Sequence, residues 1–296
     1  MPSIPWLTSS LINRLEALSL SIRWVRTGHQ LGGRFAINRR GSSIEFADYT
    51  AYSPGDDIRS IDWNLYARLD KLFVKTYKEE IALSVELILD ATASMGLPRA
   101  DKFERVRQIA GCLGYIGLTD QHHVRASWIG PGVRIGASPW FHHRSDLPRL
   151  VELSAAVRPH GRTSLADWME RAVLALKMRG GQAIVITDGM MPPADFFRAM
   201  HDLLVRNMDV RVIQVLTPEE LRPGALFQGG QVIDAETGQT HQLAYSTSEL
   251  EQAVTAHNEL LARFCKRNGI PFAQDRLDAP LETFVTKTLP ARGFLE

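Results

Sequence analysis

The sequence is short of cysteine, of long apolar runs and of excess charge of either sign. Its two cysteines, Cys112 and Cys265, lie far apart in helix-like segments with no CxxC or Cys/His spacing around them. A disulfide scaffold or a zinc site is therefore not expected, and a reducing compartment fits. No window reaches the roughly 18 consecutive apolar residues that cross a bilayer. The N-terminal stretch sets Arg14, Glu16, Arg23 and Arg26 among apolar residues, unlike a secretory leader. The expectation is a cytoplasmic protein with no integral membrane segment. Thirty-four Lys plus Arg against 33 Asp plus Glu leave a formal net charge of +1, so no global basic field invites a nucleic acid. A Walker A lysine loop, GxGxxG, GxSxG and HExxH are also missing, which removes the common nucleotide, serine-hydrolase and zinc-protease signatures.

What remains is a chain of 296 residues, 45% hydrophobic and 23% charged, long enough for one large domain or two modest ones and well outside the composition of disorder. Leu11, Ile12, Leu15, Leu18, Ile22 and Val25 recur at helical spacing after Ser9 and Ser10. This predicts an amphipathic helix that docks on the core or on a partner, with an interfacial membrane helix as the alternative. From residue 83 onward apolar strand-like runs alternate with helical patterns. LSVELIL (83–89), VRASWI (124–129), AIVIT (183–187) and VRVIQVL (210–216) are separated by helices near 102–117, 145–156, 164–178 and 192–207. That order predicts a doubly wound, mostly parallel α/β sheet with helices on both faces. VRIGAS (133–138), after Gly130-Pro131-Gly132, reads as an antiparallel edge strand. DAETGQ between two β-like stretches reads as a hairpin insertion near 224–245, followed by a helix near 247–267 stopped at Asn268-Gly269. The domain reading is thus 81–296 for the α/β domain and 1–80 for the N-terminal helix plus a loop-rich module.

Asp90-Ala91-Thr92-Ala93-Ser94 follows the first of these strands directly, at the carboxyl end where open α/β sheets bind ligands. One carboxylate and two hydroxyls in a tight loop are hard oxygen donors suited to Mg²⁺, with Mn²⁺ or Ca²⁺ as alternatives. Two further donors fall at neighbouring strand ends: Thr163 in the Gly161–Ser164 loop and Asp188 in VITDGM. Singly, these residues read as helix caps and turn formers. Together they predict a metal site made of Asp90, Thr92, Ser94, Thr163 and Asp188. His160 and Arg162 beside Thr163 read as exposed loop residues, and the pairs His122-His123 and His142-His143 as poor chelators, because neighbours on a strand point to opposite faces.

The pattern Asp90-x-Thr92-x-Ser94, Thr163, Asp188 resembles the metal-ion-dependent adhesion site of von Willebrand factor A-like domains. Thr92 stands where serine is commoner. The resemblance implies that the hydroxyls bind the ion directly, that the acids act largely through water, and that one coordination position is left for a carboxylate of the partner. A second run, Glu45-Phe46, Tyr49, Tyr52, Pro54-Gly55-Asp56-Asp57, Arg59, Ile61-Asp62-Trp63 and Ala67-Arg68, is similar to the signature of the domain of unknown function family fifty-eight, with Thr50 in place of the family's Arg. That resemblance implies a MoxR-type AAA+ ATPase as partner. Read as residues, Asp56, Asp57 and Asp62 interleaved with Arg59 and Arg68, in a motif that begins at Glu45, predict a buried ion-pair network around Trp63 that holds the module on the sheet domain, with a recognition surface as the alternative.

Three functions follow. The favoured one is a non-enzymatic, metal-dependent protein-binding module, an adaptor or chaperone-like partner of such an ATPase and of client proteins. The alternative is a metal-dependent hydrolase or phosphotransferase on the same sheet. It is weakened by Thr92 standing where a second carboxylate would serve as acid, and by the lack of any lysine near the Thr163 or Asp188 loops. The third is a structural domain that binds no ion.

Overall fold

The computed structural model describes residues 4–21, 44–55, 58–79, 83–132, 135–223, 231–233, 240–242 and 247–296. It divides into two compact units, one made of 1–27 with 83–296 and the other of 28–82.

In the larger unit, helix α1 (Ser9–Leu15) starts at Thr8, whose hydroxyl accepts the Leu11 N–H. In the smaller unit, strand β1 (Ile44–Ala51) pairs antiparallel with β2 (Phe73–Glu79), with a register shift between Phe46 and Asp48. Helix α2 (Trp63–Leu69) lies in the connection between them. Its N-cap is Asp62, which accepts the N–H groups of Asn64 and Leu65, and it ends at Asp70 in the left-handed region, φ 51°.

The remaining elements of the larger unit follow in chain order: β3 (Ser84–Asp90), α3 (Asp101–Thr119), β4 (His123–Ile129), β5 (Gly136–Ala137), α4 (Leu147–Ala156), α5 (Leu165–Ala175), β6 (Gln182–Thr187), α6 (Pro193–Val205) and β7 (Asp209–Leu216). Then come the short α7 (Pro218–Leu221), β8 (Gln231–Ile233) paired antiparallel with β9 (Thr240–Gln242), the long α8 (Thr247–Arg267) and β10 (Phe272–Arg276). Two short turns of helix, α9 (Leu281–Thr283) and α10 (Leu289–Ala291), flank a π-helical segment, Phe284–Thr288.

The main sheet has the order β10-β7-β6-β3-β4-β5, all parallel except the edge strand β5. Alternation along β3 and β6 explains the layers. Val85, Leu87, Leu89, Ile184 and Ile186 enter one apolar cluster with α1, α3 and α4. Ile88, Ala183 and Val185 enter the other, with α5, α6 and α8. Strands covered on both faces need no polar alternation, which is why LIL and AIVIT read as they do. The edge strand forms at Gly136–Ala137 only; Val133 and Arg134 lie outside the described residues. Helix α1 buries Leu11 and Leu15 in the first cluster, and the chain after it pairs Leu20 with Leu295. Ile22 and Val25 of the predicted stripe lie outside the described residues.

The strand order reverses at β3: the chain runs from β3 to β4 on one side and later returns to β6 on the other. The carboxyl ends of β3 and β6 therefore flank the topological switch point, where a crevice opens in such sheets.

A candidate metal centre at the switch point

Asp90 closes β3 and is buried, 1% exposed. Its Oδ1 accepts the Thr92 N–H at 3.0 Å and the Thr92 hydroxyl at 2.8 Å, and its Oδ2 accepts the Thr187 hydroxyl at 2.7 Å. Ser94 Oγ lies 3.1 Å from Thr92 Oγ1. The Thr92 proton is committed to Asp90, so Ser94 donates to Thr92 and the loop holds three hard oxygens together. Thr92 does not cap the short 3₁₀ turn it precedes, so its hydroxyl serves the carboxylate rather than the backbone.

Asp188 follows β6 and is equally buried, 1% exposed. Its Oδ1 accepts the Met190 N–H at 2.9 Å, as in an Asx turn. Gly189 takes φ +70°, and a Cβ there would sit 2.9 Å from Leu261 Cδ1. Helix α8 fixes this loop from behind. His257 Nε2 donates to the Gly189 carbonyl at 2.7 Å, and Gln214 Nε2, shared with Asn258, donates to the Asp188 carbonyl at 2.9 Å.

Thr163 is half-buried in the loop before α5, whose N-cap is Ser164. Two backbone bonds tie that loop to the Asp90 loop: Ala93 N–H to Gly161 O at 2.9 Å and His160 N–H to Ala91 O at 3.0 Å. Gly161 takes φ +63°, where a Cβ would lie 2.7 Å from Pro131 Cγ. His160 and Arg162 are exposed. His123 and His142, one from each adjacent pair, stack edge to face with centroids 4.3 Å apart.

The two acids sense each other. Burial, reinforced by the charge of Asp188 and opposed by the Thr187 and Thr92 hydrogen bonds, pushes the Asp90 carboxyl up to about 6. Two buried carboxylates beside the hydroxyls of Thr92 and Ser94 fit a hard divalent cation, which would relieve their repulsion. Among the described residues there is no group of three or more His, Cys, Asp or Glu side chains placed to hold a metal, so any ion here depends on the hydroxyls of Thr92, Ser94 and Thr163.

The sequence expectation that no lysine lies near the Asp188 loop is corrected by Lys102. This residue of α3 is fully buried, and its ammonium lies 2.9 Å from Asp188 Oδ2 and 2.6 Å from Glu220 Oε1, with the carbonyl oxygens of Ser94 and Leu97 at 3.2 and 3.4 Å. Burial alone would lower its pKa, but Asp188 and Glu220 outweigh it and hold the ammonium charged. Burial raises the Glu220 carboxyl, and Lys102 offsets part of that. Glu220 is further set by the capping box of α7, accepting the Thr217 N–H at 2.9 Å. Thr217 followed by Glu220 was a readable capping signal. Lys102, between Asp101 and Phe103, carried none.

The second run of residues is arranged differently from the expected buried network. Asp62 is buried, and its carboxylate caps α2 and accepts the Tyr49 hydroxyl at 3.0 Å. Trp63 is 59% exposed, and Arg59 and Arg68 are exposed as well. Glu45 pairs with Lys78 in the backbone register of β1 and β2. The Glu45 side chain and all of Asp56 and Asp57 lie outside the described residues. The buried network around Trp63 is therefore corrected: Trp63 opens α2 at its first turn and faces outward.

The family model described as protein of unknown function DUF58 matches residues 48–259. The chain belongs to this family. An uncharacterized protein of Mycobacterium tuberculosis is 25% identical to this member over 277 residues, covering 89% of this chain and 84% of the relative. Among solved structures, an aerotolerance-related membrane protein from Bacteroides fragilis is 13% identical with a TM-score of 0.45, covering 72% of this chain and 98% of that one. A von Willebrand factor type A structure from Catenulispora acidiphila is 18% identical with a TM-score of 0.37, covering 64% of this chain and 43% of that one. The DUF58 protein folds as a mostly parallel six-stranded sheet between helices. The cytoplasmic placement expected from the sequence is withdrawn, because the Bacteroides fragilis structure is that of a membrane protein. Among the described residues no helix is long and apolar enough to cross a membrane.

Proposed function

We propose that the chain is a non-enzymatic protein-binding module that holds a divalent ion, Mg²⁺ first and Mn²⁺ or Ca²⁺ next, at Asp90, Thr92, Ser94, Thr163 and Asp188. One observation carries this reading: two buried, mutually repelling carboxylates and a hydroxyl pair meet at the switch point of the sheet. When bound, the ion supplies a coordination position for an acidic side chain of the partner. The chain's own residues prepare it. Thr187 and Thr92 orient Asp90, the Met190 N–H orients Asp188, and the Gly161 carbonyl fixes the loop that presents Thr163. Arg158, His160 and Arg162 are exposed on that same loop and favour approach by an acidic surface. The family resemblance suggests a MoxR-type AAA+ ATPase as partner, with this protein as its adaptor or chaperone-like companion. Calorimetry with Mg²⁺ and Mn²⁺ on wild type and Asp90→Ala tests the ion; heats equal in the two proteins, or absent from both, overturn it. A pull-down with the ATPase, with and without EDTA, tests the partner. Binding that survives both EDTA and Asp188→Ala refutes the ion-bridged contact.

Lys102 favours a second reading, a metal-dependent hydrolase or phosphotransferase, because a buried ammonium beside an acid is a phosphate-binding element. Against it, the ammonium of Lys102 is held by two carboxylates. Metal-dependent phosphatase turnover that is lost in Asp90→Ala would decide for the enzyme.

A further inference from the structure

Lys102 stands among the proposed ion ligands without being one. An ammonium has three protons and no acceptor capacity, and this one has four acceptors around it: Asp188 Oδ2, Glu220 Oε1 and the carbonyl oxygens of Ser94 and Leu97. Its side chain is wholly buried, so the charge is fixed in place and poorly screened. Two of the four acceptors belong to proposed ligand residues. Asp188 gives Lys102 one oxygen and the Met190 N–H the other, and Ser94 offers its carbonyl to the ammonium while its hydroxyl meets Thr92. A cation arriving at this cluster meets an oxygen already occupied and a positive charge directly behind it. Glu220 has the opposite influence. It is a third carboxylate, locked onto α7 by the Thr217 N–H, and it cancels the lysine's charge at 2.6 Å.

We propose that Lys102 is a built-in competing cation: a positioning residue that holds Asp188 in the ion-free protein and sets how tightly a divalent ion binds, with Glu220 as its counter-charge. The inference rests on the ion-binding reading above and gives it a regulator. Ion entry draws Asp188 toward the new cation and leaves Lys102 on Glu220 and the two carbonyls. The lysine thereby keeps the site weak enough to load and unload, and it keeps two buried acids tolerable when no ion is there.

The test titrates Mn²⁺ into the full chain by calorimetry, with thermal unfolding measured in parallel. Lys102→Met removes the charge. Lys102→Gln removes the charge but keeps a donor toward Asp188, and so serves where the methionine variant does not fold. Both should bind Mn²⁺ at least about tenfold more tightly than wild type, the order expected when one unit charge is removed a few ångströms from a partly buried cation. Glu220→Gln should bind more weakly by a similar factor, and the Lys102→Gln/Glu220→Gln double variant should return toward wild type. A residue that merely held the fold together would weaken Mn²⁺ binding in every variant. Folded Lys102 variants that bind no tighter than wild type, while Asp90→Ala abolishes binding, overturn this proposal alone. No binding by any variant, or binding that persists in Asp90→Ala, overturns the ion-binding reading and this proposal with it.

Discussion

Asp90 is the residue whose titration the fold alters most instructively. Folded, its carboxyl keeps its proton up to about pH 6 against an ordinary value of 3.8. Between those two values the folded chain binds the extra proton, so this group's contribution to stability falls as pH rises through that window and stays low above it. In the ion-free protein Asp90 should accordingly add to the stability gained on acidification from pH 7 to pH 4, by at most about 3 kcal/mol. Asp90→Asn, which keeps an acceptor for Thr92 without the charge, should lose that pH dependence, as read from unfolding midpoints across the window. At the same scale, Trp63→Ala should shift stability by no more than about 0.5 kcal/mol because the ring is mostly exposed. Asp62→Ala, which removes the cap of α2, should cost about 1 kcal/mol. The acids and hydroxyls of the site were legible because each abuts an apolar strand run, and strand ends are where open sheets bind. Lys102 was not, because a lysine in the first turn of a helix looks like any solvent-facing one, and only the convergence of Asp188 after β6 and Glu220 on α7 gives it buried partners. Trp63 misled for the complementary reason: an aromatic among acids and arginines suggests a packed network, while helix α2 uses its acid as a cap and turns the ring outward.

Among the elements, α8 has a part that its sequence did not announce. Leu250, Ala253, Val254, Leu260, Leu261 and Phe264 recur along it at helical spacing, the pattern of a packing helix, and it does bury Leu261 and Cys265. Yet its His257 and Asn258 also reach the Asp188 loop, directly and through Gln214. Asn258→Leu should cost about 1 to 3 kcal/mol by stripping Gln214 of a buried partner, and should loosen divalent binding as well, both readable in one set of thermal melts with and without Mn²⁺. Strand positions were legible wherever strands are buried on both faces, as in AIVIT against the observed Gln182–Thr187. IPFAQ (270–274) reads as the last strand because Ile270 is apolar, which starts it two residues early. The paired segment is Phe272–Arg276, half of it polar, next to β7 at the sheet edge.

At the scale of the whole molecule, the larger unit is built from two stretches of sequence that the 28–82 unit separates. Leu15 is fully buried in the cluster that α1 shares with α3, so Leu15→Ala should cost about 2 to 5 kcal/mol. Denaturant melts of the full chain would measure this, and an unchanged midpoint would mean that α1 is not part of the core. The sequence grouped that helix with the loop-rich module because the two adjoin in the chain, whereas its apolar stripe finds its surface only once α3 exists.

The pairing of Ser19 with Glu296 through two backbone bonds, and of Ser21 with Phe294 through one, joins stretches that lie very far apart in the sequence. Contacts so remote must close a long loop before they repay its entropy, so the segment around Leu20 docks late. Until it does, its apolar surface stays uncovered, a patch on which a partly folded chain would self-associate or a holdase would bind.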